Sequence, residues 1–258
     1  MPQFNIQFHH DLSRLAPGVR KGRVPLDGYM RGCGMQFGNV IDLCKNDPDF
    51  VRAFAMAQGR TIVSPHNLAN LFMLVAFYLP KLPNGHIVEF GSYKGGSAMF
   101  MAHLAQRFLP GVQVYAFDTF GGMPSTDAAI DVHKAGDFAD ASADTIRADA
   151  AALGLTNLHL VPGRFEDTAV ATLKTIGHVS LAHIDCDIYC AVQCAYDAVK
   201  PHMVPGGYIA LDDPLTASCL GAFEAMEELF IQRDGLHAEQ SYPHMVFRYP
   251  PLKDESGG

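Results

Sequence analysis

The sequence predicts an α/β fold with a doubly wound, mostly parallel sheet. Three observations predict it: short apolar runs alternate with helical patterns, most of these runs end in an acidic residue, and a glycine-rich turn joins the first run to its helix. Such alternation is typical of a parallel sheet covered by helices on both faces. The 258 residues, 48% hydrophobic and 18% charged, are enough for one large domain with a sizeable buried core.

Composition argues against several classes of function. The formal net charge of −8 is unlike a nucleic-acid surface, which needs clustered Lys and Arg. No apolar run reaches the length that spans a bilayer, and residues 1–23 lack the apolar core of a signal peptide. The six cysteines are irregularly spaced, which is typical of a reduced, cytoplasmic protein. We therefore expect a protein that binds neither nucleic acid nor membrane.

The first part of the chain has no strong periodicity. Residues 1–60 carry frequent Gly and Pro, so we expect a small N-terminal lid or an oligomer contact, compatible with a homodimer. The main domain is expected at 61–258. It opens with a helix over 67–79, which Pro80 and Pro83 end.

The alternating elements follow. A first strand includes Glu89 near its end, and its helix runs over 98–108. Four further strands are predicted at 112–118, 157–161, 179–185 and 208–211. Helices are predicted at 143–153, from the fourth strand to about 200, and at 218–232. The chain is expected to close with an antiparallel hairpin at 237–249. Residues 128–144 are rich in Asp and Ala, and we expect them to form a mobile segment over the site.

The turn after the first strand is a candidate ligand site. Gly91, Gly95 and Gly96 have no Cβ, so a ligand can approach the backbone N–H groups at the start of the helix. The carboxylate of Glu89 would repel a phosphate and suits a ligand with hydroxyl or ammonium groups. The spacing G-x-x-x-G-G differs from that of dinucleotide sites and of P-loops. A turn that binds nothing is the alternative.

Acidic residues close four of the five parallel strands. They are Glu89, Asp118, Asp185 and the pair Asp212 and Asp213. Ligands of doubly wound sheets bind beyond the carboxyl ends of the strands, so these groups should meet at one edge. A cluster of carboxylates there must be neutralised by cations or by hydrogen bonds. Of the two acids that flank the glycine turn, one suits the hydroxyls of a ribose and the other the amino-acid end of a ligand.

The remaining acids predict a metal site. Asp185 and Asp187 lie two residues apart and would point the same way on an extended strand, and Asp212 and Asp213 close the next strand. Oxygen ligands without Cys or His suit a hard divalent ion, Mg²⁺ first and Ca²⁺ or Mn²⁺ next. Such an ion would hold a substrate hydroxyl and lower its pKa, and a carboxylate outside the metal site could take the proton.

Five segments, in order along the chain, resemble one known family. They read E-F-G-S-Y-K-G-G-S at 89–97, D-T-F-G-G-M-P at 118–124, G-R-F-E-D-T at 163–168, H-I-D-C-D-I-Y at 183–189 and P-G-G-Y-I-A-L-D-D-P at 205–214. The family is that of the macrocin O-methyltransferases, which use S-adenosylmethionine and Mg²⁺ to methylate sugar hydroxyls in natural-product biosynthesis. The resemblance covers roughly residues 60–230 and implies the class I methyltransferase fold, which is Rossmann-like.

The resemblance also implies roles for individual residues. The metal ligands would be Asp185, Asp212 and Asp213, and Asp187 would be the general base. The methyl-donor site would comprise Glu89, Gly91, Ser92, Tyr93, Ser97, Asp118, Gly163, Arg164, Phe165 and Asp185. The acceptor is expected to be a small molecule with a hydroxyl or a vicinal diol, because two adjacent oxygens can chelate one ion.

Alternatives stay open at this point. A catechol-like ring satisfies the diol requirement as well as a sugar does. A nicotinamide-dependent oxidoreductase uses a similar sheet, although the G-x-x-x-G-G spacing argues against it. A protein that binds the donor without catalysis is the third possibility. His183 lies in an apolar strand, which favours a hydrogen-bonded core histidine over a base.

Overall fold

The computed structural model of the chain describes residues 44–216 and 218–251. Its elements belong to one compact unit, which begins at Asp47. Most of the expected lid, residues 1–43, lies outside the described residues. The role of the lid, the homodimer and the domain boundary at residue 60 therefore stay predictions.

The described residues form a seven-stranded sheet. Its strands are β1 (His86–Phe90), β2 (Val114–Asp118), β3 (Leu158–Pro162), β4 (Val179–Ile184), β5 (Met203–Leu211), β6 (Ala238–Gln240) and β7 (Met245–Tyr249). Their order across the sheet is β3-β2-β1-β4-β5-β7-β6. Neighbouring strands from β3 to β5 run parallel, and β7 runs antiparallel to both β5 and β6. The prediction of a mostly parallel sheet with a C-terminal antiparallel hairpin is confirmed.

Seven α-helices accompany the sheet in the part of the chain that the structure describes. They are α1 (Pro48–Ala57), α2 (Pro65–Met73), α3 (Gly96–Phe108), α4 (Ala143–Ala152), α5 (Phe165–Ile176), α6 (Tyr189–Val199) and α7 (Leu220–Ala225). Helix α2 continues through short π and 3-10 turns to Lys81, and α7 continues through a π turn to Arg233. Among residues 44–216 and 218–251, no helix is long and apolar enough to cross a membrane.

Local sequence explains where α1 and α2 begin. The Asp47 carboxylate accepts hydrogen bonds from the backbone N–H groups of Asp49 and Phe50 at 2.8 and 3.1 Å. The Ser64 hydroxyl accepts one from the N–H of Asn67 at 3.2 Å. Proline is the first residue of both helices, where its fixed φ suits the helix and its missing N–H breaks no bond. The cap of α2 also fixes the position of Asn67, which reaches the site described below.

Helices bury the sheet. Every residue of β4 is buried, which is typical of a parallel strand between two helical layers. Val88 and Phe90 of β1 belong to a core cluster with residues of α5, α6 and α7. A second group, α1 and α2, packs against α3. There the ring of Phe50 lies edge-on to those of Phe72 and Phe100, with centroids 5.5 and 5.8 Å apart.

The sequence predicts no element between Phe165 and the fourth strand, where the structure has helix α5. Only Ala169 and Leu173 of this helix are fully buried, so its apolar stripe is narrow. A narrow stripe on a short helix gives a weak periodic signal, which explains the omission.

Strand β5 begins earlier than the sequence predicts. Residues 205–207, Pro-Gly-Gly, are typical of a turn, but they lie within the strand. Val179 pairs with Met203 whereas Leu181 already pairs with Tyr208, so the register shifts between these two pairs. The extra residues of β5 are accommodated as a bulge, and the strand continues through them.

The topology places a ligand site at the carboxyl ends of β1 and β4. After β1 the chain adds β2 and β3 on one side of it and then returns to start β4 on the other side. The connections therefore diverge between β1 and β4, and in folds of this kind ligands bind in the crevice at that point.

Candidate active site

A cleft lies beyond the carboxyl ends of β1, β2 and β4. It holds about 700 Å³ of empty space, part of it open to solvent. Seven of the predicted donor-site residues line it, namely Gly91, Ser92, Tyr93, Ser97, Asp118, Phe165 and Asp185. The predicted base, Asp187, lines it as well. The glycine turn and several of the acidic residues therefore share one cavity.

Gly91 starts the turn in a conformation that leaves no room for a side chain. Its φ is +88°, and a Cβ built there would lie 1.7 Å from the carbonyl oxygen of Asp185. The two strands are this close because the N–H of Asp185 donates to the carbonyl of Phe90 at 2.9 Å. The hydroxyl of Ser92 is buried and has no hydrogen-bond partner among the described residues. An orphaned hydroxyl beside a bare backbone turn fits the polar end of the expected methyl donor.

Asp118 closes β2 at the cleft. Its Oδ2 accepts a hydrogen bond from the N–H of Tyr93 at 2.8 Å, and its Oδ1 accepts one from the N–H of Phe120 at 2.7 Å. Burial raises the pKa of Asp118, although these two N–H groups favour the ionised form. A carboxylate has about four acceptor positions, so Asp118 can still accept hydrogen bonds from a pair of ribose hydroxyls.

Glu89 lies close to Asp118 and Asp185 at the acidic edge, but it does not line the cleft itself. It is wholly buried, and Nδ1–H of His183 donates to its Oε1 at 3.0 Å. Burial alone would lower the pKa of His183, but the carboxylates of Asp212 and Glu89 raise it to about 9. Strand β1 runs one residue past Glu89, so this side chain turns into the interior. His183 is therefore a hydrogen-bonded core histidine, as the sequence favours.

Two residues of the predicted G-R-F turn lie outside the cleft lining, whereas Phe165 lines it. The N–H of Gly163 donates to the carbonyl of Asp118 at 2.9 Å, which ties the end of β3 to that of β2. Arg164 is exposed, and its Nε lies 3.7 Å from Oε2 of Glu166. Gly163 and Arg164 thus do not line the cleft, and the ring of Phe165 is the part of this turn that a ligand can contact.

Asp185, Asp212 and Asp213 form a compact group of carboxylates. One oxygen of each lies within 4.8 Å of the others. Burial first, and neighbouring carboxylates second, raise the pKa of Asp185 and that of Asp213 well above their usual range. Like charges this close oppose ionisation unless a cation joins them. A donor set of three acidic oxygens without sulfur or nitrogen fits a hard divalent ion such as Mg²⁺.

Asp212 is held by donors from two distant segments. Its Oδ1 accepts hydrogen bonds from Nδ2 of Asn67 at 2.6 Å and from Nε2 of His244 at 2.9 Å. Asn70 donates to Nδ1 of His244 at 2.9 Å, and Gln240 donates to Oδ1 of Asn70 at 2.9 Å, so the chain of donors places the imidazole proton on Nε2. Burial opposes ionisation, but the neighbouring histidines lower the pKa of Asp212. Asp212 is therefore the member of the group whose neighbours favour its ionised form.

Asp185 and Asp187 both line the cleft, but they do not reach it by alternation along an extended strand as the sequence predicts. Strand β4 ends at Ile184, and Asp187 has a φ of +60°, in the left-handed region. The alternation of side chains along a strand no longer applies there. The N–H of Asp187 donates to Oδ2 of Asp213 at 2.8 Å, and the carboxylate of Asp187 is also close enough to Asp213 to interact with it.

The carboxylate of Asp187 lies in a different set of side chains. Sγ of Cys219 donates to its Oδ1 at 3.1 Å, and Nε2 of His133 lies 3.6 Å from the same oxygen. Burial raises the pKa of Asp187. Asp187 thus lies next to the three acids that would hold an ion and has further partners of its own, His133 and Cys219.

The segment between β2 and α4 lies over the site, where the sequence places it. Phe138 lines the cleft and packs edge-on to Tyr93, with ring centroids 5.4 Å apart. The hydroxyl of Tyr93 donates to Asp140 at 2.7 Å. Oδ1 of Asp131 accepts a hydrogen bond from the N–H of Tyr189 at 3.0 Å, so the segment is also tied to the start of α6.

Several residues of the site are absent from the sequence prediction. The cleft also includes Thr61, Ile62, Thr119, Gly122, Met123, Pro124, Phe138, Cys186, Ile188 and Ala191. Four of these, Thr119 and 122–124, belong to the D-T-F-G-G-M-P motif and could have been found from it. The neighbours of Asp212 and Asp187 come from distant segments and carry no local motif.

Comparison with known proteins identifies the family. The model of the macrocin-O-methyltransferase (TylF) family matches residues 54–238. The 8-demethyl-8-(2,3-dimethoxy-alpha-L-rhamnosyl)-tetracenomycin-C 4'-O-methyltransferase of Streptomyces olivaceus is 29% identical over 174 residues, which are 64% of this chain and 66% of that protein. The mycinamicin III 3''-O-methyltransferase of Micromonospora griseorubida is 25% identical over 193 residues, 70% of this chain and 74% of that protein. The matched part of this chain thus spans about two thirds to three quarters of the length of these relatives.

The solved structure of the O-methyltransferase NovP supports the fold. It is 19% identical, its TM-score is 0.64, and the match covers 81% of this chain and 94% of that one. Similarity at this identity speaks for the fold alone, and it confirms the predicted class I methyltransferase fold. Because the family model matches more than half of the sequence, the chain belongs to the macrocin-O-methyltransferase family of S-adenosylmethionine-dependent O-methyltransferases.

Proposed function

We propose that this protein transfers the methyl group of S-adenosylmethionine to a hydroxyl of a sugar in a glycosylated natural product, with the help of a divalent ion. Membership of the family supports the reaction type. Two relatives are methyltransferases of a rhamnosyl tetracenomycin and of mycinamicin III, which supports the class of acceptor. The observation that carries the metal-dependent form of the proposal is the group of Asp185, Asp212 and Asp213 beside the glycine turn.

The donor would bind along the β1–α3 turn. Gly91 lines the cleft, the buried hydroxyl of Ser92 offers an unused hydrogen-bonding group, and Asp118 offers acceptor positions for the ribose. Phe165 provides an apolar wall for the adenine ring. Glu89 would act from behind the turn, because its Oε2 is buried and also lacks a partner among the described residues.

Asp185, Asp212 and Asp213 would hold the divalent ion, with Mg²⁺ as the first candidate. When bound, such an ion supplies Lewis acidity to an acceptor hydroxyl and fixes its orientation. The protein contributes the rigid arrangement of the carboxylates. Asn67 and His244 help to fix the carboxylate of Asp212, since both donate to its Oδ1 and leave its second oxygen for the site.

Asp187 would be the general base. Its carboxylate lines the cleft but lies outside the three-acid group, so it is available to take the hydroxyl proton as the oxygen attacks the methyl carbon. Burial raises the pKa of Asp187, which makes it a stronger base than an exposed aspartate. The donor carries its own leaving group, so the protein mainly aligns the two substrates and excludes water.

Apolar side chains form the rest of the cleft wall. Ile62, Met123, Pro124 and Phe138 line it beside the polar groups. A sugar attached to a large apolar aglycone combines hydroxyls for the acids with an apolar surface for these residues. This pairing favours a glycosylated acceptor.

The nicotinamide alternative gains no support from the structure. Tyr196 and Lys200 have the Tyr-x-x-x-Lys spacing of hydride-transfer enzymes, but both donate to Asp234, at 2.6 and 2.5 Å, and neither lines the cleft. The family match is to methyltransferases.

The proposal is tested by methyl transfer to a panel of glycosylated polyketides whose sugars carry vicinal hydroxyls, with a catechol as a second acceptor class. We expect transfer to a glycoside, loss of transfer in EDTA and recovery with Mg²⁺. Asp187→Asn should lower kcat by about 10² to 10⁴-fold, the range of general-base catalysis, and the exposed Asp144→Asn should not. Transfer that is indifferent to EDTA would rule out the metal, and transfer to the catechol alone would rule out the sugar.

A further inference from the structure

Three side chains with different ligand atoms meet beside the cleft. His133 comes from the segment over the glycine turn, Asp187 from the β4–α6 turn and Cys219 from the residue before α7. Sγ of Cys219 lies 3.1 Å from Oδ1 of Asp187 and 3.8 Å from Nε2 of His133, and this Nε2 lies 3.6 Å from the same Oδ1. The methyl transfer proposed above uses Asp187 alone, so it gives the imidazole and the thiol no function.

Hydrogen bonding satisfies Nε2 of His133 only weakly, because its hydrogen-bond partner is Sγ of Cys219 at the long distance of 3.8 Å. Nδ1 of His133 lies 3.2 Å from Oδ2 of Asp137, and a carboxylate accepts, so a neutral His133 carries its proton on Nδ1. The N–H of Lys134 and the imidazole lower the pKa of Asp137, which keeps that carboxylate ionised. Nε2 then directs a lone pair toward Oδ1 of Asp187, too far away for a hydrogen bond. The single S–H of Cys219 lies closer to this Oδ1, at 3.1 Å, so one proton serves two acceptors, and a cation between them would stabilise both.

The separations match those of a transition-metal site. In a tetrahedral zinc site the metal–ligand distances place neighbouring N, O and S ligands about 3.4 to 3.6 Å apart. Of the three separations here, 3.6 Å falls within that range, 3.1 Å is shorter and 3.8 Å is longer. Asp137 also occupies the place of the carboxylate that commonly fixes a zinc-bound histidine through its other nitrogen. A mixed N, O and S donor set suits Zn²⁺ rather than Mg²⁺.

We propose that His133, Asp187 and Cys219 form a second metal site, which binds Zn²⁺ or a similar transition-metal ion separately from the three-acid group. Asp187 also lines the cleft, so an ion at this site would lie beside it. On binding, the Zn–S bond forms as the S–H bond of Cys219 breaks, and the proton leaves to solvent. Burial first, and the carboxylates of Asp213 and Asp187 second, raise the pKa of Cys219, so the thiol is protonated until the ion arrives.

Zinc at this site would stop methyl transfer. It would occupy the carboxylate that takes the hydroxyl proton, and it would tie the segment around His133 to the residue before α7. This consequence rests on the proposed function, whereas binding of the ion does not.

The test is a titration of the metal-free full-length protein with Co²⁺, in excess Mg²⁺ to occupy the three-acid group. A Co²⁺–thiolate bond gives a near-ultraviolet charge-transfer band that oxygen ligands do not give. We expect the band in the wild type and in Cys190→Ser, which removes an exposed thiol. We expect no band in Cys219→Ser, and at least a tenfold loss of Zn²⁺ affinity in that variant and in His133→Ala.

Two outcomes would overturn the site. One is a wild-type protein without the band, and the other is an equal band in Cys219→Ser. His133 is only part-buried, so His133→Ala serves as the second variant if Cys219→Ser does not fold. A separate arm measures inhibition of methyl transfer by Zn²⁺: a band without inhibition would support the site and contradict the role of Asp187 as the base.

Discussion

The surroundings of Asp212 lower its pKa, whereas those of Asp185 and Asp213 raise theirs. The difference arises because Asp212 accepts hydrogen bonds from Asn67 and His244, while burial and mutual repulsion act on the other two. A cation among the three carboxylates would relieve that repulsion. Binding of a divalent ion would then release protons from the remaining acids.

Replacement of Asn67 tests how far this arrangement depends on its neighbours. Asn67→Ala removes the 2.6 Å hydrogen bond to Oδ1 of Asp212, so the carboxylate loses part of its orientation. We expect the affinity for Mn²⁺ to fall by about tenfold, the lower end of what such neighbours contribute. Electron paramagnetic resonance of free Mn²⁺ measures it. Asn84→Ala, an exposed residue before β1, is the control and should leave the affinity unchanged.

Asp234 supports α6 and has a pH-dependent effect on stability. Its Oδ2 accepts hydrogen bonds from Tyr196 at 2.6 Å and from Lys200 at 2.5 Å. Burial opposes ionisation, but Lys200, Tyr196 and Arg233 lower the pKa of Asp234 to about 2. Because the folded-state pKa is below the ordinary value, the stabilisation is complete at neutral pH and is lost as the pH falls from about 4 toward 2.

Asp234→Asn should therefore lower the free energy of unfolding by about 1 to 2 kcal/mol at pH 7 and by about half as much at pH 3. Urea unfolding at both pH values measures the difference. Asp197→Asn is the matched control, because Asp197 also pairs with Arg233 but is 46% exposed. We expect it to cost about 0.5 kcal/mol or less. An equal effect of Asp234→Asn at both pH values would contradict the assignment.

At the scale of elements, the β1–α3 turn and the end of β4 depend on each other. Gly91 takes a left-handed conformation against the carbonyl of Asp185, and that contact brings the β1–α3 turn next to one of the three carboxylates. The G-x-x-x-G-G spacing alone predicts a close approach of a ligand. The structure adds a close approach between two parts of the backbone.

Gly91→Ala tests this contact. The new Cβ would lie 1.7 Å from the carbonyl oxygen of Asp185, so the turn must shift, and we expect donor affinity measured by calorimetry to fall more than tenfold. Gly111→Ala is the matched control, since Gly111 has a φ of +85° but an added Cβ there would meet nothing within 4 Å. Both variants should lose about 1 to 2 kcal/mol of stability from the left-handed backbone. Unchanged donor affinity in Gly91→Ala would place the donor elsewhere.

Local patterns predict which elements form but not every contact between them. Strand ends such as Asp118 and the β1–α3 turn follow from apolar runs and glycines within a few residues. His244 reaches Asp212 only because Leu211 pairs with Met245 in the antiparallel hairpin, and that register is not written in either strand alone. The orientation of Asp187 depends on a single positive φ, which strand alternation cannot anticipate.

At the scale of the whole molecule, the order of the strands brings the separate segments to one edge. The sheet order places β1 beside both β2 and β4, with β5 next to β4, so the acids after β2, β4 and β5 face one region. The sequence predicts this gathering because doubly wound sheets bind ligands there. Glu89 stays close to these acids, but its side chain turns inward and pairs with His183 instead of lining the cleft. The cleft wall from Ile62 and Phe138 also needed the folded chain, since neither lies in a strand-end motif.

The most direct test is a crystal structure of the full chain with Mn²⁺ and S-adenosylhomocysteine, read by anomalous scattering from the metal. We predict an anomalous peak bound by Asp185, Asp212 and Asp213, with the nucleoside along the turn that starts at Gly91. A manganese ion bound away from these three carboxylates, or a nucleoside outside the cleft, would contradict this prediction.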